Sequence, residues 1–210
     1  MKNHFDEAAK TWDMKPERIE RAQKFADEIV QLTAKKNLRS AMEFGAGTGA
    51  VSFCLKDHFP EIIMLDESAG MIDEIRKKIP SFAVTHMKAR QMNLLAENYT
   101  EKHDVIYTLL VLHHIQDVSA ILKIFHTTLN PGGMLILADL VTEDGSFHAE
   151  HPDFTGHHGF DVAALERMMS DTGFRNIHSK IFYHSKKIIN GAEKTFPIFL
   201  LSGEKIASRF

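Results

Sequence analysis

Residues 42–51 read MEFGAGTGAV: glycines at 45, 47 and 49 alternate with small residues directly after an acid, Glu43. Glycine is placed where backbone must approach a ligand closely or take φ values closed to other residues. The same letters fit the dinucleotide pattern GxGxxG/A, with Gly45, Gly47 and Ala50 in its three places, so the loop is defined before its ligand is. Outward from the loop, short runs rich in Val, Ile and Leu alternate with longer amphipathic stretches, the pattern of a parallel sheet wrapped by helices. Upstream, Pro16 opens a helix with Ile19, Ala22, Phe25, Ala26, Ile29, Val30 and Leu32 at helical spacing, and residues 38–44 form the first strand. Downstream, Val51, Phe53, Cys54 and Leu55 mark a helix and IIMLD a second strand. Met71, Ile72, Ile75 and Ile79 line a helix ended by Pro80, and PSFAVT supplies a short third strand. DVIYTLLVL is the fourth, and MLILADL, entered through the turn NPGG, is the fifth.

Composition restricts the class. The chain has 210 residues, 44% of them hydrophobic and 25% charged, which suits one globular domain over residues 1–210 with a sizeable core. A formal net charge of −3 provides no broad basic surface for a phosphate backbone, so nucleic acid is not an expected partner. Cys54 is the single cysteine, which excludes an intrachain disulfide and a cysteine metal cage. MKNHFDEAAK is too charged for a signal peptide and no apolar run nears ~20 residues, so the expectation is a soluble, cytoplasmic protein away from membranes.

Beyond residue 141 the texture changes. EDGSFHAEHPDFTGHHGFD is polar, carries four histidines and is long for a structureless loop, which marks residues 142–159 as a lid-like functional segment. Asp161 caps a helix with Val162, Leu165, Met168 and Met169, and Gly173 ends it. IHSKIFYH and TFPIFLLSG, separated by Asn190 and Gly191, read as an antiparallel hairpin.

Four motifs in this order, EFGAGTG, the acid Asp66 in MLDES, DVIYTLLVLHHIQD and LNPGGMLILAD, together resemble the class I S-adenosylmethionine-dependent methyltransferases of small-molecule type. The likeness covers roughly residues 38–141, with a weaker match in FDVAALERMMSDTGF. It implies an α/β fold: a Rossmann-like, doubly wound sheet of about seven strands, mostly parallel, with the C-terminal antiparallel hairpin and helices on both faces. It also implies S-adenosylmethionine as cofactor, S-adenosylhomocysteine as product and a small-molecule acceptor; oligomeric state is left open. By the same resemblance the cofactor is held by Glu43, Gly45, Ala46, Gly47, Gly49, Asp66, Glu67, Met71, Ala89, Arg90, Thr108 and Leu109. Ala89 and Arg90 stand where the family often has an acid for the adenine edge, with Gln91 as a substitute.

Elementary electrostatics favours the same ligand. A dinucleotide loop directs a helix N-terminus at an anionic pyrophosphate, where an acid immediately upstream is unhelpful. S-adenosylmethionine carries a sulfonium and an ammonium, which Glu43 can complement. Asp66, ~20 residues past the loop, can accept from both ribose hydroxyls or cap the following helix. Methyl transfer needs alignment, exclusion of water and, for some acceptors, removal of a proton. His114 is the candidate base, with His113 beside it; both are alternatively pocket-shaping. Asp139 ends strand five at the ligand edge. The histidines at 148, 151, 157 and 158 match no metal spacing and are expected to meet the acceptor, with no metal bound. Phe5 and Trp12, in a helical arm over residues 1–37, close the site or pack outside the sheet. An NAD-linked oxidoreductase and a non-catalytic cofactor binder are the competing readings.

Overall fold

The structure is a computed structural model describing residues 4–151 and 153–207. A short helix α1 (His4–Ala8) and a 3-10 turn (Ala9–Met14) lead into α2 (Pro16–Thr33). Then come β1 (Ser40–Phe44), α3 (Ala50–Cys54), β2 (Glu61–Asp66), α4 (Ala69–Ser81), β3 (Met87–Gln91) and β4 (His103–Leu109). The second half holds α5 (Val118–Thr128), β5 (Leu129–Leu140), α6 (Val162–Thr172), β6 (Phe174–Ile189) and β7 (Ala192–Lys205). All seven strands form one sheet in the order β3-β2-β1-β4-β5-β7-β6. β1 pairs in parallel with both β2 and β4, β4 with β5, and only β7 runs against its neighbours. The α/β expectation of a mostly parallel sheet with a terminal hairpin is met.

Alternation along the central strands explains why both faces need covering. In β2, Ile62 and Met64 enter one apolar cluster with Phe25, Ile29, Ile72 and Tyr107, beneath α2, α3 and α4. Ile63 and Leu65 enter the other with Ile106, Leu135, Phe125 and Leu165, beneath α5 and α6. Near-continuous apolar strands are what a doubly covered parallel sheet requires. Each fully buried Leu, Ile or Phe contributes about 1.5–3 kcal/mol against the entropy of ordering the chain.

The third strand differs from expectation. It lies at Met87–Gln91 rather than at PSFAVT, because α4 continues through Pro80 to Ser81 and Ala83 turns at φ 53°. β3 is an edge strand, and polar residues such as Lys88 and Arg90 suit an edge that must not pair further. β5 also begins earlier than MLILADL, at Leu129, with a register shift opposite residues 103–105 of β4. The β6–β7 hairpin turns through Asn190 (φ 51°) and Gly191 (φ 81°), two left-handed residues that match the twist of the flanking strands.

Strand order reverses between β1, which leads outward to β2 and β3, and β4, which restarts on its other side. Ligands of doubly wound sheets sit at the carboxyl ends of strands at such a reversal. The glycine loop, Asp66, the β4 exit and Asp139 all lie on that rim. Among the described residues no helix is long and apolar enough to cross a membrane.

Candidate functional site

The glycine loop leaves β1 with Gly45, Gly47 and Gly49 all left-handed, at φ 66°, 53° and 80°. A Cβ on Gly45 would lie 2.5 Å from Val111, so β4's exit closes against the loop. Ala46 is tied to β2 through its N–H to Leu65 O (3.0 Å). Gly47 donates its N–H to Asp66 Oδ2 (2.7 Å), and Ser68 donates to Asp66 Oδ1 (2.8 Å). Asp66 therefore fixes the loop from the end of β2; burial is the first cause that pushes its carboxyl up to about 6. The capping residue of α4 is Ser68, whose Oγ accepts from Met71 N–H. Met71 is buried, and Glu67 is exposed.

Glu43 turns inward. Its Oε2 accepts from Ser52 Oγ (2.5 Å) and Ser52 N–H (3.2 Å), and Ser52 Oγ also meets Tyr107 Oη at 2.6 Å. Burial, first among its causes, pushes the Glu43 carboxyl up to about 8. The acid is held mostly protonated at neutral pH, and a cation brought beside the loop would draw it toward ionisation. Sequence reasoning did not find Ser52 and Tyr107; their signal, a hydroxyl one turn into α3 and another on the facing strand, is visible only once β1 and β4 are paired.

At the adenine-edge positions the structure separates what the sequence grouped. Arg90 leaves the cleft to bridge Glu101 at 2.7 Å, and Ala89 packs on the core. Gln91 instead donates to Glu67 O (3.1 Å), Met92 N–H bonds Asp66 O (2.9 Å), and Asn93 Nδ2 reaches Glu67 Oε1 (3.2 Å). Residues 91–93 thus adjoin Asp66. On β4, Thr108 is buried with an unpartnered Oγ1, Leu109 packs on the core, and Leu110 is left-handed at φ 55°. Strain of that kind in a non-glycine residue is characteristic of functional edges.

The N-terminal arm crosses this rim. Asp6 Oδ1 accepts from Ser68 Oγ (2.5 Å) and Gly70 N–H (3.0 Å), fastening α1 to the start of α4. Asp13 accepts from Thr48 Oγ1 (2.5 Å) and pairs with Lys78. Trp12 lies over Gly47, whose Cβ would stand 3.7 Å from Nε1, and its other contacts are the Arg18 guanidinium, 3.6 Å from the ring centre, and Phe5 at 5.8 Å. Phe5 continues to the His114 ring at 5.3 Å. The two arm aromatics thus sit at the cleft, and neither carboxylate anchor was apparent from sequence.

Past β4, a 3-10 turn (Leu112–His114) presents the histidine pair. Asp139, fully buried at the end of β5, accepts from His113 Nδ1 (2.7 Å), His113 N–H (3.1 Å) and Leu140 N–H (2.7 Å). The carboxylate fixes the proton on Nδ1 and leaves Nε2 as the free nitrogen of His113. His114 lies 4.1 Å from the His113 ring; burial first, then His113, holds its pKa down to about 4. His148 enters from the 142–159 segment, its ring 5.0 Å from His113 and stacked on Phe154 at 3.7 Å.

The other loop histidines do different work. His157 donates its N–H to His113 O (2.7 Å) and meets Ile115 O through Nε2 (2.9 Å), supporting the turn from behind. His158 is half-exposed beside Glu143, and His151 packs on His4. Of the four histidines expected at the acceptor, only His148 joins the pair at the β4 exit.

The sequence profile of the methyltransferase domain family matches residues 18–179. An uncharacterized methyltransferase of Schizosaccharomyces pombe is 27% identical over 68% of this chain and 55% of its own length. Phosphoethanolamine N-methyltransferase 1 of Arabidopsis thaliana is 27% identical over 71% of this chain and 31% of its own. The chain therefore spans between about half and a third of these relatives. Among solved structures, phosphoethanolamine N-methyltransferase 2 of Haemonchus contortus, in complex with S-adenosylmethionine, superposes with a TM-score of 0.70 at 12% identity, over 85% of this chain and 51% of that one, a likeness of fold. A match across most of the chain, on a sheet of this topology with its glycine loop at the reversal, leaves the dinucleotide reading without support: the chain belongs to the methyltransferase domain family.

Proposed function

We propose that the protein is an S-adenosylmethionine-dependent methyltransferase acting on a small-molecule acceptor. One observation carries the reading: the contact chain Trp12–Phe5–His114 runs from the glycine loop to the imidazoles under one arm, so cofactor cradle and acceptor groups share a cleft. The residues fit the cofactor. Gly47 leaves room beneath Trp12 that a larger side chain would take, and Thr108 Oγ1 is a buried polar atom awaiting a partner. When bound, S-adenosylmethionine supplies an electrophilic methyl group on sulfur. Gly45, Ala46, Gly47 and Gly49 provide close backbone, Asp66 accepts from the ribose, and Glu43 balances the cationic end. Glu67, Met71 and residues 91–93 border the adenine, while Thr108 and Leu109 line the floor. The arm excludes water, and His114, with His113 held by Asp139, receives the acceptor's proton.

The acceptor class is tested by a metabolite screen with methyl-labelled cofactor. Amino-alcohol phosphoesters come first, because relatives named for phosphoethanolamine share about a quarter of their aligned residues with this chain. Binding of the cofactor with no labelled product from any metabolite pool would favour the non-catalytic binder.

Cofactor binding should release a proton. Glu43 has a folded pKa of about 8, and a cationic ligand favours its ionised form. Below pH 8 the acid must lose its proton on binding, so affinity rises with pH up to about 8 and then levels. Calorimetry at pH 7 in buffers of different ionisation enthalpy should count most of one released proton, and Glu43→Gln should remove it. Buffer-independent heats would separate Glu43 from the cofactor.

The arm should matter to retention. Phe5→Ala with Trp12→Ala removes two aromatic contacts, each worth about 0.5–1.5 kcal/mol beyond area burial, so the cofactor Kd should rise about tenfold, chiefly through faster release. Unchanged dissociation in stopped-flow would place the aromatics outside the closing surface.

A further inference from the structure

His113, His114 and His148 each offer one ring nitrogen, and these three atoms lie within 4.8 Å of one another. Each member comes with a reason to be available. Asp139 occupies His113 Nδ1, which fixes the tautomer and leaves the lone pair on Nε2. This carboxylate–imidazole arrangement is what orients histidines that ligate metals. His148 is 8% exposed, and its Nδ1 is buried without a hydrogen-bond partner. A polar atom so placed costs stability unless something fills its lone pair or takes its proton. Among the described residues His114 has ring contacts with Phe5, His113, His148 and Phe154 and no hydrogen bond at either nitrogen.

We infer that these three imidazoles form a binding site for a divalent transition ion, of the class that takes three neutral nitrogens, zinc before others. The inference rests on the reading that the acceptor is presented at this end of the cleft. Tetrahedral ligands at 2.0–2.1 Å from an ion stand about 3.3 Å apart, so each ring needs to close by roughly an ångström. All three rings sit on two short segments, the Leu112–His114 turn and the Ser146–His148 turn, rather than on the sheet itself. Three imidazoles leave a fourth position open, as in sites that bind a reacting oxygen, nitrogen or sulfur. An acceptor hydroxyl or thiol coordinated there loses its proton to solvent water, and the oxygen or sulfur bound to the ion keeps a lone pair for attack on the methyl group. In the loaded protein His114 is then a ligand, and coordination takes over the proton removal assigned above to its imidazole.

The arrangement was hidden in the sequence because no two of its elements share a recognisable spacing. His113 and His114 are adjacent, and the third ligand follows 34 residues later, in a loop where three other histidines compete for attention.

The test uses the full chain, stripped with a chelator and titrated with Co(II) and then Zn(II). Wild type is expected to bind one equivalent of Co(II) with the strong visible bands of four- or five-coordinate nitrogen ligation, and Zn(II) should displace it. His148→Ala should weaken binding by about a hundredfold or more, and Asp139→Asn by about 10–100-fold through loss of the supporting carboxylate. His178→Ala, on the exposed face of β6, should leave the titration unchanged. Weak octahedral spectra, or His148→Ala binding as tightly as wild type, overturns the metal site. S-adenosylmethionine titrations on the stripped and loaded protein keep the two readings apart. Cofactor binding without ion uptake sinks the metal site alone, and ion uptake without cofactor binding sinks the methyltransferase reading alone.

Discussion

Asp139→Asn is expected to lower turnover by about two to four orders of magnitude while leaving S-adenosylmethionine affinity near wild type, since proton removal by a positioned group is worth about 10²–10⁴. The wild-type carboxylate accepts three N–H groups, from His113 Nδ1, His113 backbone and Leu140 backbone. An amide has one accepting oxygen and one donating nitrogen. In place of Oδ2 its NH₂ faces the His113 backbone N–H, which repels it; in place of Oδ1 it faces the Leu140 N–H and also Nδ1 of His113, which must then accept. The second outcome moves the ring proton to Nε2 and removes the lone pair of His113 beside His114, the imidazole that receives the acceptor's proton. The same change would disable Nε2 as a metal ligand, so the loss of turnover follows whether the imidazoles hold a proton or an ion. Stability should fall as well: a charge-assisted buried bond contributes about 1.5–3 kcal/mol, and each kcal/mol moves Tm by about 2–4 °C in a chain of this size. Steady-state kinetics, calorimetry of cofactor binding and a thermal melt check the three parts. A folded variant turning over within threefold of wild type would reduce Asp139 to an anchor for the loop beyond β5.

How legible such a site is in sequence depends on how local its signals are. The glycine loop, Asp66 and the β4 exit announce themselves because each is a strand end with a fixed chemical demand, and the strands around them are apolar enough to be seen. β3 escaped because an edge strand with one partner needs few apolar residues, and MKARQ has few. That misplacement carried a consequence: with the strand set at PSFAVT, Ala89 and Arg90 fell just beyond its end, whereas the true end at Gln91 moves the cleft-facing positions to residues 91–93. The arm's anchors were illegible for another reason. Asp6 caps a helix 62 residues away and Asp13 reaches Thr48 across 35, and neither distance leaves a periodicity. Glu43 was recognised by position, but its inward turn follows from Ser52 and Tyr107, which only the folded sheet brings to it.

Asp66→Ala should raise the Kd for S-adenosylmethionine by about 10- to 150-fold, the equivalent of losing about 1.5–3 kcal/mol of hydrogen bonding to a charged acceptor. The carboxylate has two demands on it: its oxygens hold Gly47 N–H and Ser68 N–H, and each keeps a second lone pair for a ribose hydroxyl. Loss of affinity alone would not separate a loosened loop from a lost ribose contact. The separation comes from an analogue lacking the ribose hydroxyls. In wild type the analogue should bind more weakly than S-adenosylmethionine, whereas in Asp66→Ala the two should bind alike, because the partner of those hydroxyls is already gone. Equal penalties for the analogue in both proteins would assign Asp66 to loop support only. The pH dependence gives an independent sign. Burial raises the folded pKa to about 6, so at pH 7 most of the carboxylate is ionised and accepting, and as pH falls through 6 it protonates and loses acceptor strength. Over that range wild-type affinity should fall more steeply than that of Asp66→Ala, which keeps the Glu43 step and lacks this one, so the two should converge; parallel profiles between pH 7 and pH 5 would place the ribose elsewhere.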